Sequence, residues 1–135
     1  MNVLSRICAL LLGGTITLIG IFAFIQVYNT NGLLFGIFQV NTLHTSAHLA
    51  TGAIGVLIVF VRRGRYASWY LLGMGLLYGV LTIFGFVFEG DFIGLAYFNF
   101  QDNLLHASVA MVALLMSLII AIERPEMFVE QDRPR

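Results

Sequence analysis

The sequence predicts an all-α integral membrane protein, a four-helix bundle built from two tandem two-helix repeats with a pseudo-twofold axis along the membrane normal. Three observations predict it. Hydrophobic residues make up 59% and charged residues only 10% of the 135-residue chain, far from the composition of a water-soluble domain. Four apolar runs are each long enough to cross a hydrocarbon core of about 30 Å at about 1.5 Å per residue. Finally, GLLFGIFQVNTLHTS at 32–46 returns as GLAYFNFQDNLLHAS at 94–108, at a constant offset of 62. Chance similarity between apolar segments would align leucines and valines. Here Gln39 aligns with Gln101, Asn41 with Asn103 and His44 with His106, the mark of an internal duplication. The chain reads as a single membrane domain over 1–135, with repeat one over about 7–61, repeat two over about 69–122 and a polar cytoplasmic tail over 123–135.

The first run, Ile7 to Tyr28, is interrupted only by Thr15, Thr17 and Gln26 among polar residues. A cleavable signal peptide is the competing reading, but the run is too long and lacks an A-x-A-like site. IFAF at 21–24 is also echoed by IFGF at 83–86, so helix one has a counterpart in helix three and is expected to be retained. An uncharged turn follows at 29–32, and LLFGIFQV then returns toward the membrane as an aromatic interfacial segment. Asn41 opens helix two, which Arg62, Arg63, Gly64 and Arg65 stop. Tyr66, Trp69 and Tyr70 read as an aromatic belt where helix three enters, and that helix ends at Glu89, Gly90 and Asp91. A second interfacial segment, FIGLAYFNFQ, precedes helix four, expected from about Asp102 to Ile122 with Asp102 fitting its N-cap. Small residues that allow close helix contact are Gly75 and Gly79 on helix three, Gly52 and Gly55 on helix two, and Ala107, Ala110 and Ala113 on helix four.

Charge placement orients these spans. All seven basic residues are arginine, and Arg6, Arg62, Arg63, Arg65, Arg124, Arg133 and Arg135 fall on one side. The other side carries Glu89, Asp91 and Asp102 and no arginine or lysine. Both termini are therefore expected in the cytoplasm of a bacterial inner or photosynthetic membrane, with Asn41, His44, Asp102 and His106 near the outer face. The lipid bilayer is the implied environment. Other membrane subunits or a second copy of the chain are the implied partners, and no basic tract points to nucleic acid. The lone Cys8 has no disulfide partner in the chain.

The polar residues inside these spans are the candidate site, because ionisable groups in hydrocarbon are costly and tend to face a bundle interior. His44 and His48 lie four residues apart and share a helix face with Asn41; on helix four, Asp102 and His106 are likewise four apart, beside Asn103. His44, His48, His106 and Asp102 are candidate ligands of a transition metal, with the carboxylate completing or orienting the shell. His44 and His106, equivalent under the repeat, would also suit axial ligation of a haem or a chlorophyll magnesium. Asn41, Asn103, Gln39 and Gln101 read as structural hydrogen-bonding residues. The repeat symmetry breaks at two places, where Val40 faces Asp102 and Ala110 faces His48. The bland alternative is that all these groups are caps and cross-helix hydrogen bonds. The aromatic stretches 35–38 and 92–100 read as interfacial anchors, and Glu89 and Asp91 as a solvated loop.

At VNTLHTSAHLATG (40–52) and QDNLLHASVAM (101–111) the chain resembles the small bacterial four-span membrane proteins grouped as domain of unknown function four-three-eight-three. The resemblance spans about residues 7–122 and marks Asn41, His44, His48, Asp102, Asn103 and His106, with Thr42 where the family often has proline. It implies the four-span fold and no activity. With no catalytic motif, small size and no soluble domain, the leading functional expectation is a non-enzymatic accessory or interaction subunit of a larger membrane complex. A metal- or tetrapyrrole-binding subunit comes second. A small transporter or proton path through the histidines comes third, since polarity in the cytoplasmic halves of helices two and four is nearly absent.

Overall fold

The computed structural model describes residues 3–27, 32–88, 91–92 and 96–123. Four helices dominate it: α1 (Val3–Val27), α2 (Thr42–Phe60), α3 (Ala67–Val87) and α4 (Phe100–Glu123). Each is long and apolar enough to cross a membrane. Large exposed side chains such as Leu11, Leu57, Ile83 and Ile122 line all four. A surface of that kind suits lipid, and the chain is a multi-pass membrane protein. The expected turn at 29–31, Glu89, Gly90 and the tail from 124 onward lie outside the described residues.

Packing is uneven. α1 lies chiefly on α2 and α3 chiefly on α4, so the bundle is two helical hairpins joined by lighter contacts. Lipid tails are as apolar as leucine, so close approach of backbones does the work a hydrophobic drive would do in water. At Gly52 a Cβ would stand 2.5 Å from Thr17 N and 2.8 Å from Gly13 O, both backbone atoms of α1. At Gly75 it would stand 2.6 Å from Leu114 Cγ on α4, whereas Gly79 only reaches Ala110 Cβ at 4.0 Å. Between the halves lies a core that includes Ala9, Ile16, Val59, Leu71, Met74 and Ala113.

At one end of the bundle the chain turns through Val61–Gly64, where Arg62, Arg63 and Gly64 have φ of 44°, 59° and 76°. Consecutive left-handed residues cannot propagate a helix, so the arginines end α2 as expected. At the opposite end are two antiparallel strand pairs: β1 (Leu33–Leu34) with β2 (Phe38–Gln39), and β3 (Asp91–Phe92) with β4 (Ala96–Tyr97). The first segment, read as aromatic and interfacial, forms a tight hairpin. It turns at Phe35 and Gly36, which have φ of 55° and 71°.

The helices follow the 62-residue offset and the hairpins do not. Moved back by 62, α3 falls on 5–25, inside α1; moved forward, α2 falls on 104–122, inside α4. Yet α4 starts at Phe100, four residues ahead of the counterpart of Thr42. The reason is local. Asn99 Oδ1 accepts from Asp102 N–H at 2.9 Å and Asp102 Oδ2 accepts from Asn99 N–H at 3.0 Å, a reciprocal capping box. Asp102 is therefore not the N-cap but the acidic residue three positions inside it. In the first half Ile37 and Val40 stand at those two places and can build no such box. There the chain stays extended until Asn41, whose side chain caps α2.

Candidate functional site

The hairpin end of the bundle carries a buried polar layer, assembled from both halves. Asn41, in extended conformation, accepts from His44 N–H at 2.8 Å, so the cap that starts α2 also sets where His44 emerges. His48 follows one turn later on the same face. From β2, the Gln39 carbonyl accepts from His44 Nδ1–H at 3.0 Å. That bond commits the proton to Nδ1 and leaves the Nε2 lone pair facing the interior. The Gln39 N–H in turn donates to Asp102 Oδ2 at 3.0 Å. One backbone unit thus links the carboxylate of the second half to the imidazole of the first. A further cross-half bond runs from Asn99 Nδ2 to the Ile37 carbonyl at 2.6 Å. One turn past Asp102 on α4, His106 completes the cluster.

The three imidazoles converge. Ring centroids of His44 and His48 are 4.6 Å apart, of His44 and His106 5.5 Å, and of His48 and His106 5.9 Å. One nitrogen from each ring can be chosen so that all three lie within 4.8 Å of one another. Exposure is 5%, 7% and 1% for His44, His48 and His106, so all three are buried. His44 Nε2, His48 Nδ1 and His106 Nδ1 are all buried without a hydrogen-bond partner among the described residues. Metal–nitrogen bonds of about 2.0–2.1 Å would set the donors roughly 3.3–3.6 Å apart. From within 4.8 Å of one another, the nitrogens would have to draw closer to reach that spacing.

Asp102 does not join them. It is 2% exposed, and its Oδ2 is engaged by the backbone N–H groups of Gln39 and Asn99. Of the residues expected to be structural, Asn41 is a cap, Gln39 acts through its backbone and Gln101 is exposed. Asn103 is buried beneath Gly85, where a Cβ would collide with its amide, and its Oδ1 has no partner among the described residues.

Aromatic rings wall the site, and here reading the sequence missed residues. Phe98, 5% exposed, stands edge-on to His44 and to His106, each at 5.0 Å between centroids, so it is no interfacial anchor. Phe35, Tyr97 and Phe100 are exposed as anchors should be. Tyr78 stacks on His48 at 6.1 Å and meets His106 edge-on at 5.3 Å. Its hydroxyl lies 3.3 Å from Thr51 Oγ1, and Tyr70 O–H donates to the Thr51 carbonyl at 3.2 Å. Tyr70 is therefore turned inward, away from the belt assigned to it, with its hydroxyl end occupying the space a side chain at Gly55 would need. Trp69, beside it, is exposed. The spacing Tyr70, Met74, Tyr78 puts all three on one face of α3, and that was the available signal.

No curated protein and no solved structure matches the chain. The family described as Domain of unknown function (DUF4383) matches residues 6–119, which takes in α2 and α3 whole, most of α1 and α4, and every residue of the polar layer. By that match the chain belongs to the DUF4383 family.

Proposed function

We propose that this protein binds a transition-metal ion within the membrane through His44, His48 and His106. The observation that carries the proposal is the convergence of three buried imidazoles, each of which keeps one buried nitrogen without a partner among the described residues. A purely structural network would be expected to satisfy its members, since an unmet buried polar atom costs about 1–3 kcal/mol. Three such atoms in one place are unfavourable unless a ligand supplies the missing interaction. The Gln39 carbonyl on His44 Nδ1–H is the kind of outer contact that orients a metal-ligating histidine. A tetrapyrrole fits less well. A macrocycle between His44 and His106 needs an open slot, whereas His48, Phe98 and Tyr78 crowd against those rings.

The arginine-rich turn and the histidine layer sit at opposite ends of the bundle. We therefore place the site at the outer face of a bacterial inner or photosynthetic membrane, with both termini cytoplasmic. Service as an accessory or interaction subunit of a larger assembly is the coarser reading and is compatible with this one. The test is metal analysis of the full chain, purified in mild detergent through a tag without histidine, after growth in metal-supplemented medium. One ion per chain is expected, lost in His48→Asn and His106→Asn variants that keep wild-type helical circular dichroism. A wild-type protein that is metal-free and refuses copper, zinc, nickel, cobalt and iron sinks the proposal.

A further inference from the structure

We infer that the ion is monovalent copper, held three-coordinate by His44 Nε2 and one nitrogen each of His48 and His106; this rests on the metal-binding reading above. Charge is the first argument. Among the described residues no carboxylate or thiolate joins the histidine cluster, and the nearby Asp102 Oδ2 is occupied by two backbone N–H groups. The three donors are uncharged imidazoles, so no ligand charge offsets the ion's own, and the rings of Phe98 and Tyr78 lie against them. The cost of moving an ion from water into an apolar medium grows with the square of its charge, so a dication is penalised roughly fourfold more than a monocation.

Coordination number points the same way. Zinc at protein sites takes four ligands in nearly every case, the fourth a further side chain or a water. Here the rings of Phe98 and Tyr78 flank the triad, Phe98 against His44 and His106 and Tyr78 against His48 and His106. They offer no lone pair toward it, since the Tyr78 hydroxyl is turned to Thr51. Monovalent copper has a filled d shell, is satisfied by three ligands and, though sulfur ligands bind it most strongly, accepts imidazole. An uncharged three-nitrogen site suits it and is costlier for a divalent ion.

The experiment uses the full-length chain in detergent micelles under anaerobic, reducing conditions. Copper(I) is offered as its bicinchoninate complex, and zinc(II) separately with a chromogenic competitor. Expected is withdrawal of one copper(I) per chain and at least tenfold weaker retention of zinc(II). X-ray absorption of the copper(I) form should show three nitrogen scatterers and no sulfur. Cys8→Ser should leave capture unchanged, and His48→Asn and His106→Asn should each weaken it at least tenfold. Stoichiometric zinc held as tightly as copper overturns this inference and leaves the metal site standing. Copper bound through sulfur, or lost in Cys8→Ser but kept in the histidine variants, also overturns it. Capture of neither ion takes down the metal-binding reading itself.

Discussion

Replacing Asp102 by alanine tests the coupling between the two halves of the site. The carboxylate accepts from the backbone N–H groups of Gln39 and Asn99, each at 3.0 Å, at a position only 2% exposed. Gln39 and Asn99 are only half-buried, so water can recover part of what their N–H groups lose, and the loss should be about 1–3 kcal/mol in all. At roughly 3–5 °C per kcal/mol for a chain of this size, the unfolding temperature should fall by at least about 3 °C. The second consequence is chemical. Gln39 holds the His44 ring through its carbonyl, so a released Gln39 frees that ring, and metal affinity should drop about 10–100-fold. Asp102→Asn keeps the shape and one acceptor oxygen and should lose less than half as much of each. The assays are thermal unfolding in detergent followed by circular dichroism, and metal retention against a graded chelator. An alanine variant that melts and binds like the wild type would refute the reasoning. One that melts earlier but binds unchanged would show that Asp102 is a cap only and that Gln39 relays nothing.

Other expectations follow from the same geometry. Gly52→Ala places a methyl against the α1 backbone, with no flexible side chain to move aside, and should cost about 1–3 kcal/mol. Gly14→Ala, with nothing within 4 Å, should cost nothing and gain up to about 1 kcal/mol of helix propensity, both read by thermal unfolding. Tyr70→Phe removes the donor to the Thr51 carbonyl and should cost about 0.5–1.5 kcal/mol without altering metal stoichiometry. Phe98→Ala unroofs His44 and His106 and should speed release of the bound metal to a chelator in stopped-flow measurements. Metal at a hundred times its dissociation constant should stabilise the wild type by about 2.7 kcal/mol. That stabilisation should vanish equally in His48→Asn and His106→Asn; if it survives in His106→Asn, the site belongs to α2 alone.

The helices were legible because bilayer thickness and hydropathy dictate them almost directly, and Asn41 and the arginine turn were legible because cap and breaker chemistry is local. The histidines could be grouped because His44 and His48 share a helix face and His106 repeats His44 at a fixed offset. What escaped was rotational position and short-range irregularity. Tyr66, Trp69 and Tyr70 have the same interfacial propensity, and only packing against Gly55 and Thr51 decides that Tyr70 turns inward. The first hairpin escaped because two-residue strands carry no periodicity, and its turn uses Phe35 at positive φ, a residue that advertises no such conformation. Asn99 and Asp102 did carry the spacing of a capping box, three residues apart before an apolar run. Reading Asp102 as the N-cap itself placed the start of α4 too late.

On the reading that the halves arose by duplication, the two broken positions explain why the site needs both. An unaltered pair would contribute His44 and His106, one imidazole from each half, and two ligands hold a metal weakly. His48, where the second half has Ala110, adds the third donor from the first half. Asp102, where the first half has Val40, adds from the second half the carboxylate that grips Gln39 and through it His44. Each departure therefore supplies something the other half lacks. Because α2 packs chiefly on α1 and α4 on α3, the polar layer is where the two hairpins are tied at this end of the bundle. In lipid, where apolar contact offers helices little preference for one another over the solvent, such ties weigh heavily in fixing how the halves sit. A metal bridging α2 and α4 would then do two things at once, satisfying one nitrogen of each imidazole and locking the hairpins together. For that reason binding and the stability of the whole bundle should rise and fall together.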